Sequence, residues 1–151
     1  MEIVVNEWLL DYMCPNVDLD KKDIANKFLS VLLEKCDKIV IGRGTPFVKK
    51  FYRYMKDFGR YHEFKSNFSK LNQLLFLNSD KTIILEKEEV AQLPKEINEI
   101  LPPDDKYLFE LAYTTTDKII VTTDQRLYEK VKNITGLRIY LLEEFLKLYI
   151  T

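Results

Sequence analysis

Five short runs of apolar, mostly β-branched residues recur along this chain, and each is followed by residues with helical spacing. The runs are Ile3-Val4-Val5, Lys38 to Ile41, Lys81 to Leu85, Lys118 to Val121 and Leu137 to Leu141. They do not alternate apolar with polar, which is the pattern of strands buried on both faces. A helix between consecutive strands is the connection that parallel pairing requires. The chain is therefore expected to form an α/β fold: a three-layer α/β/α sandwich around a central parallel sheet of about five strands. Its 151 residues suit one domain, and no repeat or low-complexity linker divides it.

The segments between the runs carry helix punctuation. Trp8-Leu9-Leu10 with Tyr12-Met13 begins a helical pattern that Pro15 ends. Asp20 to Lys35 forms an amphipathic helix that Asp18 or Asp20 would cap. Thr45 followed by Pro46 predicts a helix start, with the helix running to about Phe58 and stopping near Gly59. Arg60 to Ser79 is less regular, with helical spacing only at Phe68, Leu71, Leu74 and Leu75. Shorter helices are expected from Leu93 to Leu101, from Asp104-Asp105, from Asp124 and from Glu143.

Several function classes are excluded early. Cys14 and Cys36 have no zinc-site or disulfide spacing, and His62 is the sole histidine, so an imidazole-rich zinc site is ruled out. His62 receives no role. No GxGxxG or P-loop is present among only four glycines, which weakens a nucleotide-binding or phosphoacceptor reading that would use the same strand ends. No apolar run approaches the roughly 20 residues of a membrane span. No signal-peptide pattern follows Met1, so a reducing, cytoplasmic setting without a membrane partner is expected.

Ligands of open parallel sheets bind beyond the carboxyl ends of the strands. Asn6 and Glu7 follow the first run; Thr122, Thr123 and Asp124 follow the fourth; Asp104 and Asp105 open the helix before it. Three segments thus deliver carboxylates to one edge. Hard divalent cations take such oxygen ligands and can orient water against a phosphodiester. The competing reading is that Asp105 and Asp124 are ordinary helix-start residues.

The stretch Asp104-Asp105-Lys106-Tyr107-Leu108-Phe109-Glu110-Leu111-Ala112, followed by Ile119-Ile120-Val121-Thr122-Thr123-Asp124, resembles the C-terminal half of the PIN-domain family. That family commonly carries an Asp seven residues before an Ala, then an apolar strand ending in Thr-x-Asp. Ile3 to Glu7 resembles its opening strand and acidic end, and the order of elements agrees along nearly the whole chain. The resemblance implies one PIN-like domain over residues 1–151 and a metal-dependent ribonuclease, often the toxin of a toxin–antitoxin pair. It implies Mg²⁺ or Mn²⁺ held by acidic residues, here Glu7, Asp105 and Asp124, with Asn6, Asp104 and Thr122 in support. RNA is the implied substrate and an antitoxin an implied partner. Asn6 stands where the family usually has Asp, and the helix after the second strand offers lysine where an acid is expected. These departures open the alternative of a catalytically degenerate PIN-like module that binds RNA or a protein.

Charge is unevenly distributed. Residues 38–70 carry a local charge of +7 and residues 80–110 a local charge of -5, although the whole chain sums to -1. Aromatics interleave with the cations, a mixture that suits stacking and phosphate contact but also suits a core beneath a solvated face. Arg43, in its Gly-Arg-Gly turn, and Lys49 are the expected RNA contacts. The apolar C-terminal segment (Leu141, Leu142, Phe145, Leu146, Leu148, Tyr149) fits core burial, a homodimer surface or a partner dock.

Overall fold

A computed structural model describes residues 1–134 and 136–150. Its strands are β1 (Glu2–Val5), β2 (Lys38–Gly42), β3 (Thr82–Leu85), β4 (Ile119–Thr122) and β5 (Arg138–Leu141). The helices among the described residues are α1 (Trp8–Asp11), α2 (Leu19–Glu34), α3 (Pro46–Phe58), α4 (His62–Asn72), α5 (Lys95–Ile100), α6 (Lys106–Thr114), α7 (Gln125–Val131) and α8 (Leu142–Tyr149). All four strand pairings are parallel, in the spatial order β3-β2-β1-β4-β5. The architecture is the expected three-layer α/β/α sandwich.

The central strands β1, β2 and β4 bury both faces, as their unbroken apolar runs imply, while the edge strands β3 and β5 are partly exposed. Ile3, Val5, Ile39, Ile41, Ile119 and Val121 pack with α1, α2, α3, α4 and α8 on one side. Val4, Val40, Ile120 and Ile139 pack with α5, α6 and α7 on the other. Gly42, at the end of β2, lies in the angle between α6 and the start of α3: a Cβ there would stand 2.9 Å from side-chain carbons of Leu111 and of Thr45. No helix among the described residues is long and apolar enough to cross a membrane.

Some local expectations are refined. Asp18 and Thr45 occupy the cap positions of α2 and α3 but make no capping bond from their side chains. Thr45 Oγ1 instead donates to the Gly42 carbonyl at 2.8 Å, closing the Gly42–Thr45 turn. Asp104 and Asp105 sit in a 3₁₀ turn, and α6 proper starts at Lys106. The irregular stretch after Arg60 is α4 running into a wider, π-helical turn, Gln73–Leu77. Leu142, Phe145, Leu146 and Tyr149 of α8 are core residues.

An aromatic cluster fastens α3 to α4. Phe51 and Phe68 stack with ring centroids 5.3 Å apart, and Phe64 and Phe68 at 4.0 Å. Phe68 is wholly buried between them. Phe68→Ala is expected to lower the unfolding free energy by about 3–5 kcal/mol, read from a urea titration. A loss below about 1 kcal/mol would mean that the neighbouring rings close the gap.

Candidate active site at the ends of β1 and β4

The chain starts at the centre of the sheet, builds outward through β2 and β3, then returns to place β4 on the other side of β1. The strand order therefore reverses between β1 and β4, the place where open α/β sheets leave a crevice beyond their carboxyl ends. The register pairs Val5 with Val121, so Asn6 and Thr122 leave the sheet side by side.

Their side chains join there. Asn6 Nδ2 donates to Thr122 Oγ1 at 3.1 Å, and the Asp124 backbone N–H donates to the same oxygen at 3.1 Å. Thr122 is fully buried. Asn6 Oδ1 accepts from the Glu7 backbone N–H at 2.6 Å. The Asn6 amide is thus spent on tying β1 to β4, and Glu7 is the first carboxylate beyond it. Trp8 adds a second tie, its indole N–H donating to the Val121 carbonyl at 3.0 Å.

Asp124 does what an Asp at a helix start commonly does. Its Oδ1 accepts from the Leu127 backbone N–H at 3.0 Å and caps α7. It nevertheless belongs to an electrostatic cluster. Burial, then repulsion from Asp124, Asp104 and Glu7, holds the Asp105 carboxyl above its ordinary range. Burial, then the charges of Glu7 and Asp105, also raises the Tyr107 phenol. The Tyr107 hydroxyl makes no well-formed hydrogen bond, yet it lies close enough to Glu7 for that carboxylate to resist loss of the phenolic proton. The four acids singled out from the sequence therefore feel one another across β1, the 3₁₀ turn and β4.

The donor chemistry is all hard oxygen, which suits Mg²⁺ or Mn²⁺ rather than a soft metal. Like charges that raise Asp105 are what a cation would relieve. Among the described residues, no three carboxylates yet converge on one point closely enough to enclose an ion. Cation binding at this edge would draw the side chains of Glu7, Asp105 and Asp124 inward.

The basic residues separate. Arg43 is exposed and its Nε lies 2.6 Å from Glu86 Oε1, across from the outermost strand, β3. Lys49 is exposed on α3 beside Tyr52, Arg53 and Lys56, opposite the buried Phe47 and Phe51. Lys50, one residue on, turns inward. Its Nζ lies 2.9 Å from Asp11 Oδ1 and 3.8 Å from Glu7 Oε1. Tyr54 Oη donates to Asp11 Oδ1 at 2.6 Å. Asp11, Lys50, Tyr54 and Tyr107 were not among the residues expected at the site. The available signal was spacing: Glu7 and Asp11, like Lys50 and Tyr54, are four residues apart and so share a helix face.

A carboxyl raised in the folded chain takes up its proton before it does in the unfolded chain. Asp105 thus favours the native state below the ordinary carboxylate range and loses that contribution as pH rises through its raised value. Asp105→Asn is expected to raise Tm at neutral pH by roughly 1–3 °C, and to reduce the gain in Tm seen on acidifying into the ordinary carboxylate range, about pH 4. Paired melting curves at the two pH values measure both effects. A variant less stable than the wild type at neutral pH would show that Asp105 serves the fold.

No protein-family model matches this chain, and no curated protein matches its sequence.

Proposed function

We propose that this chain is a metal-dependent endoribonuclease of PIN type that hydrolyses RNA phosphodiester bonds. The observation that carries the reading is that the topology brings Glu7, Asp104, Asp105 and Asp124 to the strand-order reversal, where burial and then the charges of the other three raise Asp105. The likeness of residues 105–112 and 122–124 to the family's motifs supports it. Structural carboxylates are ordinarily spread apart or paired with cations, whereas a cation-dependent site needs them massed.

In this reading Glu7, Asp105 and Asp124 hold the ion, and Asp104 supports them. Asn6 and Thr122 fix the spacing of the strand ends from which Glu7 and Asp124 project. Mg²⁺ or Mn²⁺, when bound, would neutralise phosphodiester charge and orient an attacking water. The exposed cations of α3, led by Lys49 and joined by Arg53 and Lys56, bind the RNA backbone, and Tyr52 on the same face offers a ring to a base. Arg43 joins them by exchanging its exposed Glu86 partner for phosphate, at little cost for a surface pair. The role extends to that of a cytoplasmic toxin held by an antitoxin, as is common among PIN-type ribonucleases. A homodimer through α8 would use the rim around Leu148, since the helix's main apolar face is committed to the core.

One observation favours the second reading, a catalytically degenerate PIN-like module that binds RNA or a protein. Lys50 already brings a positive charge to Glu7, while the carboxylates stand apart. Melting in the presence of Mn²⁺ separates the two. A ribonuclease should gain several degrees at saturating metal, and Asp105→Asn and Asp124→Asn should abolish the gain. Asn is also a good helix cap, so Asp124→Asn retains α7. Cleavage of an RNA substrate should fall by roughly 100-fold or more in Asp124→Asn. Full activity in a clean preparation of that variant would sink the proposal, and no metal effect at all would favour the module.

RNA binding is testable without cleavage. Under the same reading, Lys49→Gln and Arg53→Gln should each weaken binding of single-stranded RNA regardless of sequence. Each should also lower the slope of log affinity against log salt by about 0.7–1. Unchanged slopes would make α3 a solvated face and nothing more.

A further inference from the structure

Lys50 reaches two carboxylates of another segment from a half-buried position. Ion pairs such as Lys95–Glu99 and Lys132–Glu129 lie in the open on one helix or its last turn. The Lys50 side chain is only 18% exposed and reaches from α3 to α1. Its Nζ contacts both oxygens of Asp11, at 2.9 and 3.1 Å, and lies 3.8 Å from Glu7 Oε1. Two helices each supply a pair four residues apart, Glu7 with Asp11 and Lys50 with Tyr54. Tyr54 Oη also bonds Asp11 Oδ1, and the Lys50 ammonium sits 5.6 Å from the centre of the Tyr54 ring. The ammonium is held by Asp11 and Tyr54 at a place where it faces Glu7.

We propose that Lys50 is a tethered counter-ion of the carboxylate site, which sets its affinity for a divalent cation by competing for Glu7. The inference rests on the metal-site reading above. Asp11 is its resting partner, and Glu7 is the carboxylate for which it competes. A divalent ion that draws on Glu7 then shares that carboxylate with a fixed positive charge. At separations of about 5 Å, even well-screened repulsion of this kind weakens cation binding by about tenfold or more. The ligand class follows: an ion of high charge density can displace the ammonium from Glu7, and a weakly bound monovalent ion cannot. The ordinary alternative is that Lys50 merely clips α1 to α3. In that case its loss would loosen Glu7 and weaken cation binding, the opposite sign.

The test is Mn²⁺ binding to the full chain by calorimetry, with the metal-free melting temperature recorded for each protein. Lys50→Met and Lys50→Gln remove the charge; Lys50→Arg keeps it. The charge-free variants are expected to bind Mn²⁺ about tenfold more tightly than the wild type, and Lys50→Arg within about twofold of it. Their metal-free forms should melt lower and gain more on adding Mn²⁺. If Lys50→Met fails to fold, the polar Lys50→Gln carries the measurement. Equal or weaker binding by the charge-free variants, with the wild type binding normally, would overturn the counter-ion role and leave the metal site standing. Binding by Lys50→Gln but not by the wild type would uphold the counter-ion and remove metal-dependent catalysis from the natural chain. No binding by any of them would overturn both.

Discussion

Thr122 Oγ1 accepts one hydrogen bond from the Asn6 side chain and another from the Asp124 backbone, and the geometry of the strand ends depends on that shared oxygen. The hydroxyl is completely buried, so its partners cannot be exchanged for water without a penalty. Through it, the turn out of β1 and the turn out of β4 become one rigid unit. Glu7 leaves that unit on one side and Asp124 on the other. The Trp8 indole bond to the Val121 carbonyl repeats the constraint one layer deeper. An Asp in place of Asn6 would keep the tie only with the Thr122 hydroxyl as its donor. Position 6 braces the edge in this chain, and Glu7 follows it.

That bracing matters because the edge is under electrostatic load. Burial raises Asp105 first, and the charges of Asp124, Asp104 and Glu7 raise it further. A protein selected for stability alone has no use for such an arrangement, since charges of one sign massed around a partly buried acid lower the native state's advantage. The surrounding charge has a matching layout. The basic stretch forms β2, α3 and α4, and α3 and α4 cover one face of the sheet; the acidic stretch supplies α5 and α6 on the opposite face.

The parts of this structure that could be read in the sequence are those encoded locally. Continuous apolar runs at Ile3–Val5, Ile39–Ile41 and Ile119–Val121 announce strands buried on both faces, and each is a strand here. Thr45-Pro46 announces the start of α3, although the Thr45 hydroxyl bonds back to Gly42 rather than forward into the helix. The strand order was not legible, because a strand buried on both faces carries no mark of its neighbours. Residues 60–79 were only partly legible: Phe68, Leu71, Leu74 and Leu75 keep a helical spacing, but the change from α4 to a π-helical turn at Gln73 leaves no mark in it. At the site, Asp104, Asp105 and Asp124 could be found because strand ends and helix starts lie at one edge by topology. Lys50 could not. Its meeting with Asp11 spans 39 positions and depends on how α3 packs over α1. Arg43 was rightly placed at a strand end, but β2 lies between β1 and β3, and the residue bonded outward to Glu86.

The central place of β1 has a consequence for the timing of assembly. β1 can pair with β2 once residue 42 has been made, yet its other neighbour, β4, lies far along the chain: the Asn6–Thr122 bond spans 116 positions. At synthesis rates of about 5–20 residues per second, β1 would wait several seconds or longer with one edge unpaired. Until β4 is made Glu7 exists without Asp124, and the Asn6 amide has no hydroxyl to hold. The carboxylate edge thus forms late, with only α7, β5 and α8 still to follow, and a shorter nascent chain carries separate carboxylates without the edge that gathers them.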